Sequence, residues 1–203
     1  MVKTQNITKI LEKRRSVYTL SSNSTLKESR LVELLYDVVK YVPSAFDSRS
    51  TRLVLLTDQA HKRLWSIVKE VLCEVVAPEN FAHTEQKIDR SFASGYGTIL
   101  FYEDQEIISE MQSRYPLYRD NFPVWAEQTS AMHQFATWCA LAEAGMGASL
   151  QHYNPLIDTR VREAWNLPHN WRLIAQIPFG VASVPAPPKN FDGAANQLKI
   201  FTE

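Results

Sequence analysis

Three short stretches of this chain carry residue types that can do chemistry. Arg14-Arg15-Ser16 places two guanidinium groups and a hydroxyl on consecutive residues. Arg offers a planar fork of donors, so such a trio can grip a phosphate or a carbonyl-rich ring. Its plainer reading is a charged helix end, favoured by the helix dipole. The second stretch, Pro43-Ser44-Ala45-Phe46-Asp47-Ser48-Arg49-Ser50, falls between a helical pattern and an apolar run, where a binding loop would sit. Its polar groups could hydrogen-bond a planar heterocycle, or simply turn the chain through local Ser and Asp bonds. The third runs from Gly145 to Pro155, GMGASLQHYNP. Backbone amides around Gln151, His152 and Tyr153 could point at a ligand, and the Tyr153 ring could stack on it. Taken alone, His152 is better read as a loop histidine without a ligand.

No self-sufficient catalytic set accompanies them. His61, His83, His133, His152 and His169 form neither HExxH nor a close Cys/His cluster, so no metal site is expected. Gly147-Ala148-Ser149-Leu150-Gln151 lacks the last glycine of a nucleophile elbow. Gly145-Met146-Gly147 follows a helical pattern instead of a strand and lacks the third glycine of a dinucleotide fingerprint. There is no GxxxxGK[ST] loop. If the chain is an enzyme, a cofactor carries the chemistry.

Composition bounds the partners. The 22 Lys and Arg balance 22 Asp and Glu, which gives no support for nucleic-acid or membrane-surface binding. The N-terminus MVKTQNITKI is polar and no apolar run approaches a membrane span, so the expected location is the cytoplasm. Cys73 and Cys139 sit in helical patterns and read as small buried hydrophobes in a reducing compartment.

The elements that must position the three stretches follow from periodicity. A first helix is expected at Ile7 to Arg14. A second begins at Thr25, with Glu28 completing a capping box, and Pro43 stops it. Leu53 to Leu56 reads as a buried strand. Leu64 to Val75 marks a third helix closed off by Pro78. Thr98 to Tyr102 is a second strand, followed by a short helix near Ile107 and a Tyr/Pro-rich connection, Tyr115 to Pro123. The longest helix runs from about Val124 to Ala144, looks buried nearly all round, and stops at Gly145. Ala148 to Leu150 can be a short strand, another helix precedes Trp165, and Leu173 to Phe179 is a strand ended by Gly180. The tail from Val181 holds Pro185, Pro187 and Pro188 before an apolar end, Leu198 to Phe201. Helices and strands are interspersed without a boundary, so residues 1–203 read as one α+β domain around a mixed sheet.

The ordered set of RRS, VPSAFDSRS, FASGYGTILFYED, WAEQTSAMHQFATWCALAEAGMGASLQHYNP and IPFG spans nearly the whole chain. It resembles the nitroreductase family of flavoproteins, within the compact branch shared by bacteria and fungi. That resemblance implies FMN held non-covalently at the interface of an intertwined homodimer. Arg14, Arg15 and Ser16 would hold the phosphate and the polar edge of the flavin. Lys87 would stand near its pyrimidine carbonyl, where a cation stabilises reduced flavin; otherwise it is a solvated helix residue. Gln151, His152 and Tyr153 would lie at the reactive edge, and Lys189 would complete the phosphate pocket. Pro43, Ser44, Ala45, Phe46, Asp47 and Arg49 would come from the other subunit, and the tail, residues 181–203, would embrace the partner. Family members commonly carry Asn and Gln where Asp47 and Arg49 stand; an amide donates and accepts, whereas these two ions each do one, so they would compensate each other.

The implied activity is ping-pong reduction of small acceptors, nitroaromatics or quinones, with NADH or NADPH as donor and Phe46, Trp125 and Tyr153 as the acceptor wall. Trp125 reads equally well as core. A flavin-binding regulatory or stress-response accessory protein is the alternative, since cofactor binding and reduction use the same residues.

Overall fold

The computed structural model of the chain describes residues 7–202. Expectations that touch residues 1–6 and 203, the polar N-terminus and the outer ends of the 1–203 domain, lie outside the described residues. Among these residues seven α-helices and five strands follow one another as α1 (Ile7–Lys13), β1 (Leu20–Ser21), α2 (Glu28–Tyr41), β2 (Thr51–Thr57), α3 (Asp58–Val75), α4 (Pro78–Ile88), β3 (Gly97–Asp104), α5 (Gln105–Arg114), α6 (Asn121–Glu143), β4 (Gly147–Ala148), α7 (Asp158–Trp165) and β5 (Trp171–Ala182). A π-helical turn, Asp89–Ala93, joins α4 to β3.

The sheet order is β1-β5-β3-β2, with β4 also on β5. Among the described residues all ladders are antiparallel, and the parallel component is one bridge between Ser16 and Ala148. Thr51 stands opposite Glu103, and Gly97 opposite both Thr57 and Phe179. β3 is buried along all eight residues because helices cover both faces. Its side chains alternate as strand geometry requires. Ile99 and Phe101 join Leu31 and Leu35 of α2 and Leu141 of α6, while Leu100 and Tyr102 join Leu64, Trp65 and Val68 of α3 and Val161 of α7.

Several expectations change. The Thr25 hydroxyl donates to the Ala144 carbonyl at the end of α6, so it does not cap α2, which starts at Glu28. Pro78 opens α4 instead of merely closing α3; its missing N–H costs nothing in a helix's first turn. Leu53, Val54 and Leu55 are only half-buried, since β2 is an edge strand. β5 runs on through Gly180 to Ala182, where β1 crosses so closely that any Cβ at 180 would strike the Ser21 carbonyl. Helix α6 leaves Val124, Met132 and Phe135 exposed in the single chain. Cys73 is exposed and Cys139 half-buried, both as free thiols, because position 73 lies past the apolar stripe of α3. Gly145 ends α6 as expected, with φ +84°. Among the described residues no helix is long and apolar enough to cross a membrane.

Candidate functional site

The first and third chemical stretches meet along the side of β5 away from β3. Ser16 bridges Ala148, and Val17 N–H donates to the Ala148 carbonyl at 2.9 Å. Beyond Ala148 the chain continues along β5. Ser149 N–H donates to Pro178 O and Gln151 N–H to Gln176 O. Strand period 2 sends the alternate N–H groups, Leu150 and His152, away from the sheet. Among the described residues neither finds a hydrogen-bond partner. Tyr153 N–H is already committed, at 2.8 Å, to the side-chain oxygen of Gln176.

Around this edge the cations gather. The Arg14 guanidinium lies 4.4 Å above the Trp138 ring, whose own indole N–H is buried and has no partner among the described residues. Arg15 donates to the Pro187 carbonyl at 2.6 Å, which draws the tail bearing Lys189 towards the trio. Lys189 is exposed, with its ammonium 5.6 Å from the Phe191 ring centre. Neither Arg14 nor Arg15 forms an ion pair among the described residues. Lys87 is exposed on the last turn of α4, just before the π-helical turn that packs against β1 and β5.

Tyr153 is half-buried, its ring edge-on to Trp65 at 5.7 Å and to Phe92 at 6.2 Å, and burial pushes its hydroxyl up to about 12. Trp65 in turn donates to the Thr98 hydroxyl, which contacts His61 Nδ1 at 2.9 Å. His61 Nε2 faces the Ala93 carbonyl at 3.2 Å and so carries the proton, which leaves Nδ1 of the neutral ring to accept from the Thr98 hydroxyl. Burial holds His61 neutral, its pKa lowered to about 4.

The second stretch lies elsewhere. It enters β2 opposite Glu103, six residues along β3 from Gly97, and β2 is separated from β4 by β3 and β5. That is roughly 20 Å along the strands and roughly 14 Å across them. Pro43 is exposed and Ala45 half-buried. Phe46, Asp47 and Arg49 take left-handed φ of 55°, 52° and 52°. Side chains hold this shape. Ser44 Oγ accepts from Arg49 N–H at 3.0 Å, and Arg52 donates to the Arg49 carbonyl and to Asp104. Ser50 and Thr51 hydroxyls both donate to the buried Glu103 carboxylate at 2.5 Å. Burial raises the Glu103 pKa against the pull of those two bonds. Asp47 and Arg49 bond each other at 2.8 Å, and that bond holds the Asp47 carboxyl below its usual range.

Phe46 sits in an aromatic nest. It stacks on Trp125 at 5.7 Å and touches Tyr115, Tyr118 and Phe122. One chain therefore brings Phe46 and Trp125 together, and leaves Tyr153 in a separate cluster with Trp65 and Phe92. Sequence reasoning passed over Gln176 and Glu103, and read Tyr115 to Pro123 only as a connection, not as the rings that surround Phe46. The available signals were a lone amide inside the apolar IAQIPFG run, a carboxylate in the midst of TILFYED, and three rings within eight residues, Tyr115 to Phe122. Among the described residues no three His, Cys, Asp or Glu side chains cluster as a metal would require.

A sequence profile of the nitroreductase family matches residues 11–181. The nitroreductase CinD of Lactococcus lactis, solved in complex with chloramphenicol, is 40% identical with a TM-score of 0.88, covering 97% of this chain and 100% of that one. The nitroreductase FRM2 of Saccharomyces cerevisiae is 26% identical over 193 residues, 94% of this chain and 95% of that protein. A Desulfitobacterium hafniense nitroreductase with bound FMN shares the fold at 12% identity and a TM-score of 0.71, over 96% and 97% of the two chains.

Proposed function

Because this chain belongs to the nitroreductase family, we propose that it is an FMN-dependent NAD(P)H oxidoreductase acting as a cytoplasmic homodimer on small oxidised acceptors such as nitroaromatics or quinones. One observation carries the reading. The bridge from Ser16 to Ala148 sets two guanidinium groups, neither in an ion pair among the described residues, beside an edge whose Leu150 and His152 amides have no partner there. A ligand with an anionic tail and a flat ring rich in acceptors fits that donor set, and FMN is such a ligand. The relative solved with chloramphenicol, a nitrobenzene derivative, supports the acceptor class.

FMN, when bound, supplies hydride transfer at N5 between NADH or NADPH and the acceptor, in ping-pong order. The protein's own part is binding, orientation and exclusion of water. Arg14, Arg15, Ser16 and Lys189 hold the phosphate, and Lys87 the pyrimidine side. The His152 amide and the segment Gln151–Tyr153 line the reactive edge. Pro43, Ser44, Ala45, Phe46, Asp47 and Arg49 reach the pocket from the partner subunit, since within one chain they stand at the other end of the sheet. Phe46 and Trp125 wall the acceptor from that side, and the exposed apolar tail end, Leu198, Ile200 and Phe201, packs on the partner.

The purified protein is expected to be yellow and to release FMN on denaturation. Arg14→Ala and Arg15→Ala each weaken FMN binding about ten- to a hundredfold, the value of a charge-assisted contact of roughly 1.5–3 kcal/mol. A colourless protein that takes up no FMN on titration defeats the proposal. Bound flavin that stays oxidised when mixed with NADH and with NADPH in a stopped-flow cell would return the chain to the accessory role.

A further inference from the structure

Gln176 is fully buried in the middle of β5, among apolar neighbours. An amide costs free energy there unless both of its ends are bonded. Both are. Its backbone N–H and C=O pair with Gln151 at 2.9 and 2.8 Å, its side-chain oxygen accepts from Tyr153 N–H at 2.8 Å, and its side-chain NH₂ donates to Asn154 Oδ1 at 3.2 Å. The side chain thus imitates one more peptide unit of the strand. The backbone ladder ends at Gln151, and Gln176 supplies the acceptor for the N–H two residues on, at Tyr153. His152 lies between those two anchored positions, so strand alternation leaves its N–H turned outward. Trp65 and Phe92 hold the Tyr153 ring from the core side.

We infer that Gln176 is a positioning residue that aims the His152 amide at the reactive edge of the flavin. The inference rests on the flavin reading above and adds the residue that sets the geometry. A donor held at that edge stabilises the charge that develops as the ring is reduced, and it does so only if it is preorganised. Gln176 touches no cofactor; it acts through residues 151–154.

The test uses the full-length protein with Gln176→Met, which keeps the length of the side chain and removes its hydrogen bonds, and Asn154→Ala, which removes one anchor from the half-buried end. Three readings are taken: hydrogen exchange at the Tyr153 amide without flavin, the visible spectrum and affinity of FMN on titration, and the single-turnover rate of flavin reduction by NADH and NADPH. In Q176M the Tyr153 amide should lose its protection. FMN should still bind through the arginines, with a shifted absorption band, and reduction should slow by roughly tenfold or more. N154A should move the same readings in the same direction by a smaller factor.

A Q176M protein that is less stable yet keeps the wild-type spectrum and the wild-type rate per bound flavin makes Gln176 a core residue only and overturns the inference. Should Q176M not fold, unchanged spectrum and rate in N154A overturn it. A wild-type protein that takes up no FMN sinks the flavin reading itself, and this inference with it. A flavin-loaded wild type beside an unaltered Q176M sinks the inference alone.

Discussion

The edge segment 149–153 is held mainly by backbone, and the loop 43–50 mainly by side chains. The first is a continuation of a sheet. Its odd-numbered amides are spent on β5 and on Gln176, and its outward N–H groups at 150 and 152 are a by-product of strand geometry. The second has three left-handed residues, each costing of order 1 kcal/mol or more. Backbone bonds from Asp47 N–H to Ser44 O and from Ser48 N–H to Ala45 O close its turn, and Ser44, the Asp47–Arg49 pair, the Arg52–Asp104 pair and the Glu103 carboxylate clamp it. Sheet continuation preorganises donors in a row, whereas a side-chain clamp can present a strained loop but depends on the charge of its members.

The two supports also answer pH with opposite signs. The edge leans on Tyr153, which leans on Trp65 and so on neutral His61. Its folded pKa of about 4 lies below the unfolded value of 6.5. Between those values the unfolded state binds the extra proton, so stability is present above pH 6.5 and is lost as pH falls towards 4. Glu103 is the reverse. Its folded pKa is raised, so across the carboxylate range the folded state keeps the proton longer, and its contribution falls as pH rises.

The comparison can be broken most sharply by mixing chains. A chain with Arg14→Ala and Arg15→Ala spoils the edge, and a chain with Ser44→Trp spoils the loop. Each alone should retain no FMN. Co-expressed as a tagged heterodimer, they should bind one FMN per two chains, because one pocket then combines an intact edge with an intact loop from its partner. A colourless heterodimer would mean that both regions serve the same chain's pocket.

The second effect is in stability. Urea unfolding at pH 7 and near pH 4 should differ by about 3 kcal/mol through His61, from the shift of its pKa. His61→Gln should remove most of that slope, and an undiminished slope would place the acid sensitivity elsewhere.

The smallest effect is at the clamp. Glu103→Gln should cost about 1 kcal/mol, since an amide oxygen accepts one hydroxyl bond where the carboxylate accepted two. It should also remove the fall in stability with rising pH that Glu103 contributes. Nuclear magnetic resonance of residues 43–50 would then show the loop losing its single conformation; an unchanged loop would return Glu103 to plain core packing.

Much of this was legible from residue order alone. The apolar run from Thr98 to Tyr102 and the period-3.6 stripes of α2 and α3 are local patterns. A strand or helix buries such a stripe wherever it is placed. Gly145 told its own story, because few residues other than glycine take its left-handed φ without strain. The motifs themselves were visible for the same reason: residue type decides what a side chain can donate or accept.

What lay beyond the sequence is non-local. Pro78 looks the same whether it ends one helix or begins another, and only packing of α4 against α3 decides. Thr25 is a good cap by type, but the carbonyl at Ala144 competes for its hydroxyl. Nothing in residues 14–16 says that they will lie beside Ala148, or that residues 43–49 will stand at the far end of the same sheet. Those placements follow from the strand order β1-β5-β3-β2, which joins segments more than a hundred residues apart. Gln176 meets Tyr153 across 23 residues for the same reason. Composition and spacing specify which groups are present; the tertiary fold alone decides which buried donor meets which acceptor, because that pairing depends on where the chain returns.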